Sequence, residues 1–392
     1  MSTVSIRKTA GDDYAGILAA VRRAVEDLGG LGDIIKPGMK VLVKPNLVAV
    51  PATRLSGAVT RWEVAGAVAQ LAREAGASPI IAESAAAGVN TRAVIEKCEY
   101  DRLRDLGFAV VDLKQTPRRK IAAKGAKLIA SMDSWELVAE AEAVISVPVL
   151  KTHDQTEVTL GLKNLKGLIE DEQKKIFHAQ GVMNGVIDIV STLRPVLTVI
   201  DGTYGQEGLG PIFGDTVRMD LILASKDVVA ADAVGSAVMG YQPEDCMLSL
   251  EANRRGLGEI SLAKIEVKGE SIASVARRFK RASEVEIEGL PPHRLLFDEG
   301  ACTGCRNTVI SSLMDLKSQG HTSYLEGKIL VAGPLRELPP ESTPENTVLI
   351  GKCANHLKDR GRAVRGCPPG NVYVVQGIVG DALEVGRRYN AD

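Results

Sequence analysis

Aromatic residues make up only 4% of this 392-residue chain, and its 48 basic and 49 acidic residues nearly cancel. The first shortage argues against the stacking platforms that grip single-stranded nucleic acid. The second leaves no overall field to draw the protein onto a polyanion or an anionic membrane. Any anion site has to be local. No stretch of eighteen apolar residues is present, and the start, MSTVSIRKTAGDDY, lacks the basic segment and apolar core of a signal peptide. A cytoplasmic protein with no nucleic-acid and no membrane partner is therefore expected. Cysteine is scarce too: six in a chain this long are too few for a secreted disulfide scaffold.

What is present is an ordinary globular composition, 45% hydrophobic and 25% charged, long enough for two or three domains. Through the first two thirds, short β-branched runs alternate with helical patterns. KVLVKPNLV (residues 40–48) reads as a strand, TRWEVAGAVAQLAREAGA (60–77) as an amphipathic helix and SPIIAES (78–84) as the next strand. NTRAVIEKCEYDRLRDLG (90–107) continues as a helix, AEAVISVPVL (141–150) and VLTVIDGTYG (196–205) as strands, and KDVVAADAVGSAVMG (226–240) as a helix. This alternation predicts an α/β fold, a parallel or mixed sheet layered with helices. In such sheets ligands bind beyond the carboxyl ends of the strands. Around residues 279–300 the pattern gives way to a Pro-containing connection of mixed charge. That break divides an α/β core with an anion-binding site, residues 1–285, from a smaller α+β domain with cysteines, residues 286–392. The last helix is expected in GIVGDALEVGRRY, residues 377–389.

Four of the six cysteines fall in that last domain. Cys302 and Cys305 form a C-x2-C pair just ahead of a helix, whose N-terminal dipole favours negative charge. Cys353 ends an expected strand, and Cys367 precedes Pro368 and Pro369. Four thiolates from separate loops suit a 4Fe–4S cluster or a structural zinc. Zinc ribbons carry two C-x2-C knuckles, and this chain has one; a cysteine followed by proline belongs to ferredoxin-type loops. A 4Fe–4S cluster is the leading expectation and zinc the alternative. A thioredoxin-type redox pair at Cys302 and Cys305 would need neither Cys353 nor Cys367. Cys98 and Cys246 read as structural, since buried free cysteine is common.

The other informative stretch is SVPVLKTHDQTEVTLGLKNLKGLI, residues 146–169. An apolar run ends there and is followed at once by Lys151, Thr152 and His153, then by Lys163, Asn164 and Lys166. VKPN places Lys44 and Asn46 at the end of another strand. A lone lysine usually marks a solvated face, but Lys44, Lys151 and His153 all terminate apolar runs, where an anionic ligand would meet them. IDGTYGQEGLGPIFG adds Asp201 at a strand end and Glu207 within a glycine-rich run able to bring backbone N–H groups close to an anion. Neither a G-x-G-x-x-G fingerprint nor a P-loop lysine is present, so nucleotide binding is not expected. The expected catalytic residues are Lys151, His153 and Glu207. Lys44, Asn46, Lys163, Asn164, Lys166 and Asp201 are expected to bind a small anionic molecule, and Cys302, Cys305, Cys353 and Cys367 to ligate metal.

With VLVKPNLV, VISVPVLKTH, TLGLKNLKG and IDGTYGQEGLG in view, the chain resembles the domain of unknown function 362 family from about Lys40 to about Gly240. The resemblance implies association with iron–sulfur modules, common among members in anaerobes and archaea, and it supports the core and the anion-site residues. It supplies no reaction. Ferredoxin-like modules carry C-x2-C-x2-C-x3-C-P repeats, whereas this chain has one C-x2-C and two distant cysteines. The leading expectation is an iron–sulfur oxidoreductase acting on, or transferring electrons to, a small anionic metabolite or cofactor, with a redox partner protein. The alternatives are a non-redox isomerase or lyase of a hydroxy or keto acid with a structural zinc, and a carrier or scaffold that delivers a cluster.

Overall fold

The alternating pattern becomes a layered sheet in the computed structural model, which describes residues 1–382. The chain forms two compact units. The first comprises Met1–His153, Val158–Lys174 and Asn184–Phe279; the second comprises the chain from Lys280 onward together with Asp154–Glu157 and Lys175–Met183.

The principal strands of the main sheet in the first unit are β1 (Ser2–Lys8), β2 (Lys40–Pro45), β3 (Ser78–Glu83), β4 (Ala109–Asp112), β5 (Ala143–Val147), β6 (Val149–His153), β7 (Leu197–Glu207), β8 (Asp215–Ser225) and β9 (Ile265–Gly269), and Arg118–Ala122 and Ser131–Trp135 form a separate antiparallel pair. Across the sheet they run β9-β1-β8-β7-β5-β2-β3-β4, with β6 also pairing with β7. The block from β7 to β4 is parallel, while β8 runs antiparallel between β7 and β1. Parallel strands need crossovers, which α1 (Tyr14–Asp27) supplies between β1 and β2, and α2 (Trp62–Glu74) between β2 and β3. Helix α1 starts at Asp13, whose carboxylate accepts the Gly16 amide at 2.8 Å. Every residue of β5, and all of β2 after Lys40, is buried. That is why both read as unbroken apolar runs: helices cover the two faces of a parallel sheet. Val41, Val43, Ile145, Ile17, Val21, Val64 and Val68 share one core between sheet and helices.

Two elements differ from expectation for local reasons. Residues 141–150 are not one strand but two, β5 and β6, separated at Pro148, which has no N–H to give the ladder. Its carbonyl instead accepts the Asp201 amide at 2.8 Å. The helix expected over 90–107 breaks at Glu99, where φ is +59°, into Thr91–Lys97 and Asp101–Asp105. Strand β1 has no counterpart in the sequence reading.

The second unit carries a four-stranded sheet of β10 (Arg294–Phe297), β11 (Ile329–Ala332), β12 (Thr347–Ile350) and β13 (Arg362–Val364), all parallel and in chain order. β10 lies within the stretch that reads as a connection. Of the helices in this unit, two matter most for the cysteines: α5 (Thr303–Ser318), which bears Cys305, and α6 (Asn371–Val379). The helix expected over residues 377–389 begins earlier, at Asn371, and ends at Val379, where Gly380 at φ +68° leads into a 3₁₀ turn (Gly380–Ala382); residues 383–389 lie outside the described residues.

Candidate functional site

Strands β2, β3 and β6 end on one side of the first sheet, and at or near those ends stand polar groups that the fold buries. Lys44, Glu83 and Lys151 are each at most 3% exposed. An ammonium or carboxylate survives such burial only with partners, and those partners form one continuous chain. Lys44 Nζ lies 2.7 Å from Glu83 Oε2 and donates to Asn164 Oδ1 at 2.9 Å. Asn46 Nδ2 donates to the same Asn164 oxygen at 3.1 Å. Asn46 Oδ1 in turn accepts from Lys151 Nζ at 2.9 Å. Asn164 also donates to the Lys44 carbonyl at 3.0 Å and to Ser146 Oγ at 3.1 Å, which fixes its amide orientation.

Lys151 differs from Lys44 in what surrounds it. Its three donors go to Asn46 Oδ1, the Ala58 carbonyl and the Pro211 carbonyl, all neutral. Three acceptors are the complement of an ammonium. Desolvation, followed by repulsion from Lys163 and Lys44, holds its pKa well below the ordinary lysine value. Desolvation also lowers Lys44, against the pull of Glu83. Desolvation thus opposes the charged form of both lysines, and a bound anion would favour it.

Lys163 and Asn164 come from α3 (Leu160–Asn164), a short helix behind β6. Lys163 Nζ lies 2.7 Å from His153 Nε2. With a charged lysine donating, the imidazole accepts at Nε2 and carries its proton on Nδ1. Such a pair can pass a proton to or from a bound molecule. α3 is held by α4 (Val228–Val238), whose Asp232 accepts the Gly161 and Leu162 amides at 2.7 and 3.0 Å. Burial pushes the Asp232 pKa to about 8 against the pull of those amides. The glycine of NLKG has a steric role: a Cβ on Gly167 would lie 2.1 Å from Glu83 Oε1 and 2.7 Å from Lys44 Nζ. Lys166 is half-buried on the turn between them.

Two expected residues are engaged elsewhere. Asp201 is buried, but its oxygens accept the Arg61 amide, the Thr203 amide and the Thr203 hydroxyl at 2.6–3.0 Å, a loop-holding role. Glu207 forms an ion pair with Arg277 at 3.1 Å. Its neighbour Gln206 is the residue in register with Lys151, and alternation along a strand turns Glu207 to the opposite face.

Some site residues escaped the sequence reading. Glu83 ends β3 and Lys44 lies one residue before the end of β2, so the same strand-end rule points to it. Beyond it, Lys174 Nζ donates to Ser84 Oγ and the Ala85 carbonyl, both at 2.7 Å, and to Asp171 at 3.0 Å. Desolvation lowers Lys174 to about 8. Lys114 joins the same carboxylate at 2.8 Å and binds the Ala86 and Val89 carbonyls. The loop after β3 is thereby clamped by cations.

In the second unit Cys302 caps α5 and Cys305 sits in its first turn. A hydrogen bond from the Cys305 thiol, helped by the Gly304 and Cys305 amides at the helix start, lowers Cys302 to about 6, while Cys305 is pushed up. Cys305 lies within electrostatic reach of Cys302, Cys367 and Cys353, and Cys367 within reach of Cys302 and Cys353. Gly351, with φ at +91°, brings the Cys353 loop so close that a Cβ there would stand 2.9 Å from Cys305 Sγ. The four thiols of three chain segments are therefore neighbours. Among the described residues, no three His, Cys, Asp or Glu side chains stand in an arrangement that would hold a metal ion. Cys302 and Cys353 reach solvent, Cys305 is buried, and Cys98 and Cys246 are buried elsewhere.

Among the described residues, no helix is long and apolar enough to cross a membrane. A family model described as "Domain of unknown function (DUF362)" matches residues 41–237, the span that holds Lys44, Asn46, Lys151, His153, Lys163 and Asn164. A thylakoid-associated protein of Synechocystis is 31% identical over 270 residues, covering 66% of this chain and 80% of that protein. The lactate racemase apoprotein from Thermoanaerobacterium thermosaccharolyticum superposes at a TM-score of 0.40 with 10% identity, over 97% of this chain and 91% of that one.

Proposed function

Since the chain belongs to the domain of unknown function 362 family, we propose that it is a cytoplasmic iron–sulfur protein that acts on, or transfers electrons to, a small anionic metabolite or cofactor. The observation that carries this reading is the approach of the Cys353 loop to Cys305, where a Cβ on Gly351 would stand 2.9 Å from Cys305 Sγ, in a region that also holds Cys302 and Cys367. By residue type the donor set is that of a 4Fe–4S cluster, four sulfurs, although no three of the described side chains stand ready to hold a single metal ion. Bound there, such a cluster supplies one-electron chemistry. Scarce cysteines, none in a disulfide among the described residues, agree with a reducing compartment.

The anion belongs to the first unit. Lys151 supplies a buried positive charge facing only neutral oxygens, and Lys44, fixed by Glu83 and Asn164, holds the neighbouring corner. Asn46 and Asn164 keep both lysines aimed, so little reorganisation accompanies binding. Lys163 Nζ–H donates to His153 Nε2, and the proton shared in that hydrogen bond is available for exchange with the bound molecule.

The cysteine part is tested by variants. Cys353→Ser and Cys367→Ser, purified without oxygen, are each expected to lose the broad visible absorption and most of the iron of the parent protein. Full colour in both variants would instead leave Cys302 and Cys305 acting as a pair on their own.

A further inference from the structure

The segment that brings Cys353 to the site has a charge unlike the chain as a whole. Between residues 352 and 365 lie Lys352, Lys358, Arg360, Arg362 and Arg365 against one acid, Asp359, in a protein whose formal net charge is −1. All five basic side chains are exposed, and so is Cys353 among them. Lys352–Arg360 is a 3₁₀ segment, about 16 Å from end to end at its usual rise. The chain then turns back: the Gly351 amide donates to the Val364 carbonyl and the Lys352 amide to the Gly366 carbonyl, both at 2.9 Å. Arg365 is thereby returned beside Lys352, and Lys352 is close enough to act electrostatically on Cys367. Among the described residues, Arg362 is the one of the five with an ion-pair partner, Asp381 at 3.2 Å.

We propose that this basic rim around Cys353 and Cys367 is the docking surface for an acidic electron-carrier protein. The inference rests on the iron–sulfur reading above and adds where the carrier docks and of what charge it is. Complementary charge is what steers and orients a transient partner of this kind. An electron route further requires that the redox centre lie near the surface, and the exposed thiols of Cys302 and Cys353 meet that requirement. The reduced carrier gives up one electron to the centre these cysteines hold and is itself oxidised by one; no proton or group is transferred. A nucleic acid fits less well, because the segment contains no aromatic side chain to stack on a base.

The test is calorimetric binding of an acidic plant-type 2Fe–2S ferredoxin to the full chain at low and at physiological salt. The proposal expects binding that weakens with salt and falls at least tenfold in the double variant Arg360→Glu/Arg365→Glu, whose iron content and melting temperature match the parent. Lys124→Glu, an exposed reversal in the first unit, is expected to bind as the parent does. Equal binding by the double variant overturns the proposal. So does a result in which duplex DNA or anionic lipid vesicles, and not the ferredoxin, bind through these arginines. Iron-loaded protein that ignores the ferredoxin ends the docking surface and leaves the cluster standing. Ferredoxin binding through these arginines by protein that cannot be loaded with iron supports the surface and ends the cluster reading.

Discussion

The lysine pocket of the first unit and the cysteine group of the second are built on opposite plans. In the pocket, Glu83, Lys44, Asn164, Asn46 and Lys151 pass one hydrogen bond to the next through a nearly dry interior. Each member is aimed by another, and what works against the charged lysines is their desolvation. Among the cysteines, two thiols face solvent and the geometry comes from backbone, namely the start of α5 and the tight approach of Gly351. The contrast teaches that the first site is specified by side chains that hold one another, the second by loops that deliver sulfur to one place. Substitutions should therefore propagate through the pocket and remain local at the cysteines.

The largest effect is expected from Lys151→Met. It removes the ammonium and keeps much of the length, so affinity for inorganic phosphate or small carboxylates should fall about a hundredfold, the scale of one lost charge-assisted contact. Calorimetry on both proteins checks it, and unchanged affinity would place the anion elsewhere. Next comes Glu83→Gln, which leaves the Lys44 charge buried without its counter-ion. Breaking one side of a buried pair typically costs about 3–5 kcal/mol, to be read from the urea midpoint. Gly167→Ala should follow at about 1–3 kcal/mol, the usual price of overpacking, because its methyl would meet Glu83 and Lys44. A full-strength variant would mean that α3 can move away from the pocket.

A smaller, pH-dependent effect tests the support beneath the pocket. Asp232 is raised to about 8 when folded, so between about pH 4 and pH 8 the folded state binds more protons than the unfolded one. Its contribution to stability is then full below the unfolded carboxyl pKa and is lost as pH rises towards 8, at most about 1.4 kcal/mol per pH unit. Asp232→Asn should flatten that part of the stability profile. Parallel profiles for parent and variant would show that Asp232 does not titrate in this range.

Much of the pocket was legible because one rule governs it: polar residues that terminate buried parallel strands face the ligand side. Lys44, Asn46, Lys151 and His153 lie at or near such strand ends, and the repeated lysines of LGLKNLKG drew attention to α3. What stayed hidden depends on which strands become neighbours. Glu83 becomes Lys44's counter-ion only because β3 lies beside β2, and Asp232 matters only because α4 packs against α3. Asp201 sits at a strand end like the others, yet the turn of Thr203 and the approach of Arg61 commit its oxygens to the loop. Glu207 sits one residue beyond Gln206, and that single step in the alternation separates it from the lysines. In the second unit, spacing alone identified the cysteines, while the role of Gly351 depends on a backbone approach that no spacing reveals.

The most direct test of the account is the iron and acid-labile sulfide content of the full chain isolated without oxygen. It predicts about four of each per chain, as a 4Fe–4S centre requires. One equivalent of zinc with no sulfide, or no bound metal after anoxic reconstitution with iron and sulfide, would contradict it.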